Sequence, residues 1–186
     1  MVKKLLVFLS LFFLTACGGR SSTPTQVAAS VEIKVSSPAF EAMAAIPKVY
    51  SCEGDDLSPA LAWSGIPDGT KSIALIMDDP DAPVGTWVHW VVYNLPAGTT
   101  GLPEGASKAK SETSSLPEGA LHGQNSWKRA DYGGPCPPSG KHRYFFHLYA
   151  LDAVLDMPQG PSRKDLDKAM EGHIIGQGEL VGTYQK

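Results

Sequence analysis

The sequence has no surplus of positive charge. Sixteen Lys and Arg stand against nineteen Asp and Glu, a formal net charge of −3 with a pI near 5.9. Such a chain presents no basic field to a phosphate backbone, so nucleic acid is not an expected partner. Long apolar runs are also scarce. The most continuous one, Leu5 to Leu14, is too short to span a bilayer as a mature helix. There is no internal repeat, and no low-complexity segment follows residue 30. Helix-period patterning is nearly absent, and no Ser or Cys sits in a nucleophile-elbow pattern. Cysteine is limited to Cys17, Cys52 and Cys136. Glycine and proline are not scarce: 19 and 15 residues break the chain often, which suits many strands joined by turns.

The first residues divide from the rest. "MVKKLLVFLSLFFLTACGG" has a basic start at Lys3 and Lys4, a short apolar core, and then "LTAC", the anatomy of a secretory signal. "LTAC" resembles the lipobox of bacterial lipoproteins. The resemblance implies a signal peptide over 1–16, cleavage before Cys17 and lipidation of its sulfur. An ordinary cleaved signal or a retained anchor is the alternative. Gly18, not Asp, follows the cysteine, and in a Gram-negative cell this resembles the outer-membrane sorting case, facing the periplasm. Residues 17–30 are small and polar and read as a flexible tether. The expected location is the bacterial cell envelope, with a lipid anchor in the membrane.

Residues 31–186 have the length of one domain. "SVEIKVSS" alternates Val31, Ile33 and Val35 against polar residues, as a half-exposed strand does. "KSIALIMDD" is apolar on both faces from Ile73 to Met77 and reads as a central strand. "WVHWVVYNLP", "KHRYFFHLYALD" and "GELVGTY" supply further strands. One segment, "PSRKDLDKAMEGHII", sets Leu166, Ala169, Met170 and His173 at helical spacing, with Ser162 and Asp165 spaced as a capping box. Residues 97–135 form a long, irregular connection. The fold class is mainly β, a two-sheet antiparallel sandwich with one or two short helices. If Cys17 carries lipid, Cys52 and Cys136 remain, and an exported protein favours pairing them. Two buried free thiols are the alternative.

Chemistry-bearing residues cluster at two strand ends. In "MDDPDAPVGTWVHW", Asp79 closes a buried strand beside Pro80, and shares a face with Leu75 and Met77. Asp81 follows in the turn. His89 lies inside an apolar strand between Trp87 and Trp90, where a carboxylate could fix its tautomer and leave the second nitrogen for a ligand. In "YGGPCPPSGKHRYFFH", a Gly/Pro loop leads to His142 and Tyr144 on one face and to Arg143 and His147 on the other. His147 reads as a packing or surface residue.

These stretches carry a family resemblance. "DPDAP", "HWVVYNLP", "GPCPPSGKHRYFFHLYALD", "SCEGDDLSPALAW" and "ELVGTY" resemble the phosphatidylethanolamine-binding protein family, and within it the bacterial Raf-kinase-inhibitor-like branch. The likeness covers residues 31–184. It implies a large sheet packed on a smaller one, and an anion pocket lined by Asp79, Asp81, His89, Pro135, His142 and Tyr144, with Trp87 at the rim. It implies a phosphate-like anion or phospholipid head group as ligand, and an envelope protein as a second kind of partner. Two departures matter. Lys128 and Arg129 stand where related chains often have glycine, which implies a stiffer, more basic mouth. The C-terminal helix that borders the pocket in the family's animal members has no evident counterpart after "GTYQK".

The residues point to binding rather than catalysis, with no cofactor implied. A hydrolase, or a metal-dependent enzyme using Asp79, Asp81, His89 and His142 as ligands, is the alternative. A homodimer is compatible with the sequence. An acid beside an imidazole favours its charged form, so anion binding is expected to tighten at mildly acidic pH.

Overall fold

A computed structural model describes residues 30–111 and 114–186. The proposed signal, Cys17 and all of the tether but Ser30 lie outside the described residues. Two sheets face each other. The larger contains β1 (Val31–Glu32), β4 (Ser72–Asp79), β5 (Trp87–Pro96), β7 (Leu121–His122), β8 (Lys141–Leu151) and β9 (Ile174–Gln185), in the order β1-β9-β8-β4-β5-β7. The smaller contains β2 (Lys34–Ser36), β3 (Leu61–Ser64) and β6 (Gly101–Leu102), in the order β2-β3-β6. Pairing is antiparallel except between β1 and β9. The two-sheet sandwich read from the sequence is the fold.

β4 explains why the architecture needs both of its covers. All eight of its residues are buried. Ile73, Leu75 and Met77 pack with Trp63, Trp90 and Phe146 under the small sheet. Ala74 and Ile76 pack on the opposite face with Val91, Tyr93, Leu166 and Met170, under the α-helix α1 (Arg163–Met170). A strand without a polar face cannot sit at a solvated surface, so β4 lies between β5 and β8 with a layer on each side.

Three local readings are refined. The "SVEIKVSS" run is not one strand. It breaks at buried Ile33 into β1 and β2, which belong to different sheets. The helix is capped as expected, with the Ser162 hydroxyl oxygen accepting from the Asp165 N–H at 3.2 Å. It stops at Met170, however, and Gly172 takes a φ of +79°, so His173 lies beyond it and pairs with Asp152 at 2.8 Å. The last strand is longer than "GELVGTY", starting at Ile174. The long connection from 97 to 135 contributes only the two-residue strands β6 and β7. Among the described residues, no helix is long and apolar enough to cross a membrane.

Cys52 and Cys136 are bonded, across 84 residues of sequence. The bond ties the turn after a short 3-10 helix (Lys48–Tyr50) to the loop that enters β8. Two hydrogen bonds lie beside it: Cys52 N–H donates to the Pro135 carbonyl at 3.2 Å, and Gly134 N–H to the Asp56 carboxylate at 2.6 Å. A side chain at Gly134 would place Cβ 2.1 Å from the Tyr50 carbonyl oxygen, so glycine is required for this close approach. Reduction of the disulfide is expected to lower the unfolding free energy by about 2 to 4 kcal/mol. Paired denaturant melts with and without reductant check this, and coincident curves would show that the neighbouring bonds hold the loop alone.

Candidate functional site

Three strand ends and one loop converge on a single hollow. β4 brings Asp79, β5 brings Trp87 and His89, and β8 brings His142. The loops add Pro137 and Trp127, and together these residues wall a cavity of about 230 Å³. Larger hollows lie elsewhere. An open groove of about 880 Å³ runs between β2 and β9, and one of about 500 Å³ lies beside Asp78 and Arg163. Neither contains a residue expected at the site.

His89 reaches the cavity because of a bulge. Between β4 and β5 the pairing steps from Met77 opposite Trp90 to Asp78 opposite Val88, leaving His89 as the extra residue. A bulge re-aims a side chain that plain alternation would send elsewhere. The ring is 3 % exposed. It stands edge-on to Trp127 and Tyr144, with centroids 5.1 and 5.2 Å away.

The partner that orients His89 is not the expected carboxylate. Its Nδ1 lies 2.7 Å from the Gly133 carbonyl oxygen, and the Gly133 N–H donates back to the His89 carbonyl at 3.0 Å. Burial pushes the imidazole down to about 4, against the raising influence of the Gly133 carbonyl and of Asp79. The ring is therefore neutral at pH 7. Nδ1 is assigned the proton from its carbonyl partner, so Nε2 carries a lone pair. Gly133 is needed here too, since a Cβ would lie 2.5 Å from the Trp127 ring.

Asp79 instead holds His142. One carboxylate oxygen lies 2.7 Å from His142 Nδ1, and the other accepts the Asp81 N–H at 2.8 Å. Both side chains are nearly buried, at 4 % and 10 % exposure. Pro80 cannot donate a hydrogen bond and fixes the turn that presents the Asp81 amide. Tyr144 is wholly buried, and its hydroxyl has no hydrogen-bond partner. Burial, followed by the neighbouring Asp79 charge, pushes the phenol far above its ordinary value, so it is a neutral hydroxyl.

Three expected residues, Tyr144, Asp81 and Pro135, are not in the cavity wall. Asp81 takes both Nε and Nη2 of Arg143, at 2.9 and 2.7 Å, and also the Arg143 backbone N–H. The guanidinium hydrogen bonds hold its carboxyl down at about 2. Pro135 is buried behind the wall, where its carbonyl accepts from Cys52. The mouth is also less basic than expected. Arg129 is paired with Asp131 at 2.9 Å and lies 5.1 Å from the centre of the Trp127 ring. Lys128 takes a φ of +64°, a conformation that favours glycine. Among the described residues, no group of three or more His, Cys, Asp or Glu side chains is arranged to hold a metal ion.

Trp127 is a wall residue that the sequence reading passed over. Asn125 places it: the side-chain oxygen accepts the Trp127 and Arg129 N–H groups at 3.0 and 3.1 Å, while the amide donates to Asp131. An Asn two residues before a Trp, in a segment ending at Gly-Gly, is an Asx-turn signal that could have found it. His147 is half-buried on the opposite face of β8, between Asp78 at 3.4 Å and Glu179 at 3.6 Å.

The buried neutral His89 has a consequence for stability. Its pKa is lower folded than unfolded, so its contribution is fully present above about 6.5 and is lost as pH falls toward 4. The loss is on the order of 3 kcal/mol. A His89→Gln variant, which can still donate to Gly133 but cannot gain a proton, is expected to show a flatter stability profile over that range. Urea melts at intervals of pH check it, and parallel profiles for the two proteins would contradict it.

The comparisons with known proteins agree with the fold. The family described as "Phosphatidylethanolamine-binding protein" matches residues 36–185. A UPF0098 protein of Methanothermobacter thermautotrophicus is 49 % identical over 148 residues, covering 80 % of this chain and 95 % of that one. A UPF0098 protein of Aquifex aeolicus is 46 % identical over 159 residues, covering 83 % and 89 %. The crystal structure of E. coli YbcL, described as a member of the mammalian PEBP family, superposes with a TM-score of 0.76 at 34 % identity, over 84 % of this chain and 99 % of that one. A phosphatidylethanolamine-binding protein homologue from Chlamydia trachomatis gives 0.75 at 42 % identity, with the same coverage. With the family match running from β2 to the end of β9, this chain belongs to the phosphatidylethanolamine-binding protein family.

Proposed function

We propose that the chain is an envelope-tethered binding protein whose hollow takes a phosphate-like anion, free or carried by a lipid head group or an envelope partner. The observation that carries this reading is the convergence of two imidazoles and one carboxylate, from strands far apart in sequence, on one small cavity. Polar groups so deeply buried are costly unless partnered. A ligand with hydrogen-bonding oxygens partners the sides of Asp79, His89 and His142 that face the hollow. The family membership supports binding over turnover. The nearest sulfur cannot serve as a nucleophile, because Cys136 is in the disulfide.

The tether rests on the "LTAC" sequence and on Cys17. Two experiments test the two parts. Calorimetric titration with inorganic phosphate is expected to give saturable binding, weakened about tenfold in His142→Gln, which keeps a donor toward Asp79 but loses the ring. Absence of binding by the unaltered protein removes the ligand reading. Radiolabelled palmitate supplied to expressing cells is expected to label the protein and not its Cys17→Ser variant. Equal labelling of both removes the tether.

A further inference from the structure

We propose that the Cys52–Cys136 bond is a reducible latch on one wall of the hollow: a dithiol opens it in the folded protein and releases the stretch from Cys136 to Gly140. The latch is a property of the wall beyond the anion reading, which enters only the ligand arm of the test.

The bond is accessible. Both cysteines are exposed, although cysteine is among the residues most often fully buried. A disulfide at the surface is open to attack by a thiolate. The bond also reaches the hollow, because Cys136, Pro137 and Pro138 line it. Little else holds this stretch. Pro137 and Pro138 have no N–H to give, and no residue from Pro137 to Gly140 makes a hydrogen bond to another described residue. Of these four positions, only Pro137 is buried.

The segments on either side are fixed without the sulfurs. Cys52 sits in a turn closed by its own backbone, with Gly54 N–H donating to the Ser51 carbonyl at 3.0 Å and Asp56 N–H to the Val49 carbonyl at 3.1 Å. Tyr132, Gly134 and Pro135 are hydrogen-bonded to Tyr50, Asp56 and Cys52. Downstream, β8 begins at Lys141, opposite Gln185 of β9. Reduction therefore leaves the Gly133 carbonyl against His89 and leaves His142 on its strand, and it frees the residues between. The dithiol gives up two electrons and two protons and becomes a disulfide, while Cys52 and Cys136 each become a thiol. The exchange passes through a mixed disulfide with one of the two sulfurs. A ligand that closes against the freed wall must order it again, so affinity is expected to fall about tenfold on reduction and to return on reoxidation.

The test compares the oxidised protein, the same protein reduced with dithiothreitol, and a Cys52→Ser/Cys136→Ser variant, with circular dichroism reporting whether each is folded. Thiol titration is expected to find both cysteines reduced without denaturant, in protein that stays folded. Reduction that requires denaturant, or that unfolds the protein, overturns the latch. Backbone 15N relaxation is expected to show order parameters at Ser139 and Gly140 falling from about 0.85 to below about 0.6 on reduction, with Gly133 and Tyr144 unchanged. The variant, where it folds, is expected to match the reduced protein. Unchanged values at Ser139 and Gly140, or a fall spread across the sheets, overturn the latch. Calorimetric titration with inorganic phosphate reads the ligand arm. Equal affinity in the oxidised and reduced forms overturns the gating. Absence of binding by the oxidised protein removes the anion reading instead, and the relaxation result alone then decides the latch.

Discussion

A single buried carboxylate organises this end of the molecule. Asp79 closes a strand with no exposed residue, where an isolated negative charge would be prohibitively expensive. Two groups make it tenable. The backbone amide of Asp81 is turned toward it by Pro80, and His142 is delivered from β8, 63 residues along the chain. Because β8 lies directly beside β4, the pair forms only if the central sheet has its observed order and register. The cavity is the space in front of that pair, so folding the sheet and building the site are one event.

The opposite wall is held by different means. The segment from Asn125 to Pro138 has no regular structure of its own, yet it must place the Gly133 carbonyl against His89 and the Trp127 ring at the mouth. It does so through side-chain anchors: Asn125 folds the start of the loop on itself, Asp56 fixes Gly134, and the disulfide fixes Cys136. Tyr132, wholly buried, adds a hydrogen bond from its hydroxyl to the Tyr50 carbonyl at 2.8 Å. Asp56, Tyr50 and Cys52 thereby join the loop to one short stretch of chain, residues 50 to 56. A loop constrained in this way presents its groups with little entropy left to lose when a ligand enters.

What could be read from the sequence follows from how local the determining physics is. The apolar character of "SIALIM" on both faces is a property of that segment alone, and it correctly places β4 at the centre. Ser162 and Asp165 mark the start of α1 for the same reason. The family motifs locate Asp79, His89 and His142 because those residues carry their context with them. Asp81 shows the limit. Its motif places it with Asp79, but the side chain follows the nearest guanidinium, and Arg143 is adjacent only because β8 pairs with β4. His89 shows another limit. Alternation assigns it a face, whereas a one-residue bulge decides where it points, and a bulge is a property of two strands at once. Its partner is likewise a carbonyl from a distant loop, which no pattern of side chains could have indicated.

The distribution of charge completes this account. Alternation along β8 sends His142 and Tyr144 toward the small sheet and Phe145 and His147 the other way, stacked with Tyr149 and flanked by Asp78 and Glu179. Arg163 pairs along its helix with Asp167 and across to Asp78 on β4, at 2.7 Å each. Arg143 and Arg129 are taken by carboxylates of their own. Each of these arginines is therefore matched by a carboxylate, and the cavity wall keeps the Asp79 carboxylate beside the two imidazoles of His89 and His142. A site intended to hold a bare dianion by charge would leave its guanidinium groups free. Here the guanidinium groups are committed to the framework, and the polar groups that remain at the hollow, on Asp79, His89 and His142, are held in direction by the buried strand ends.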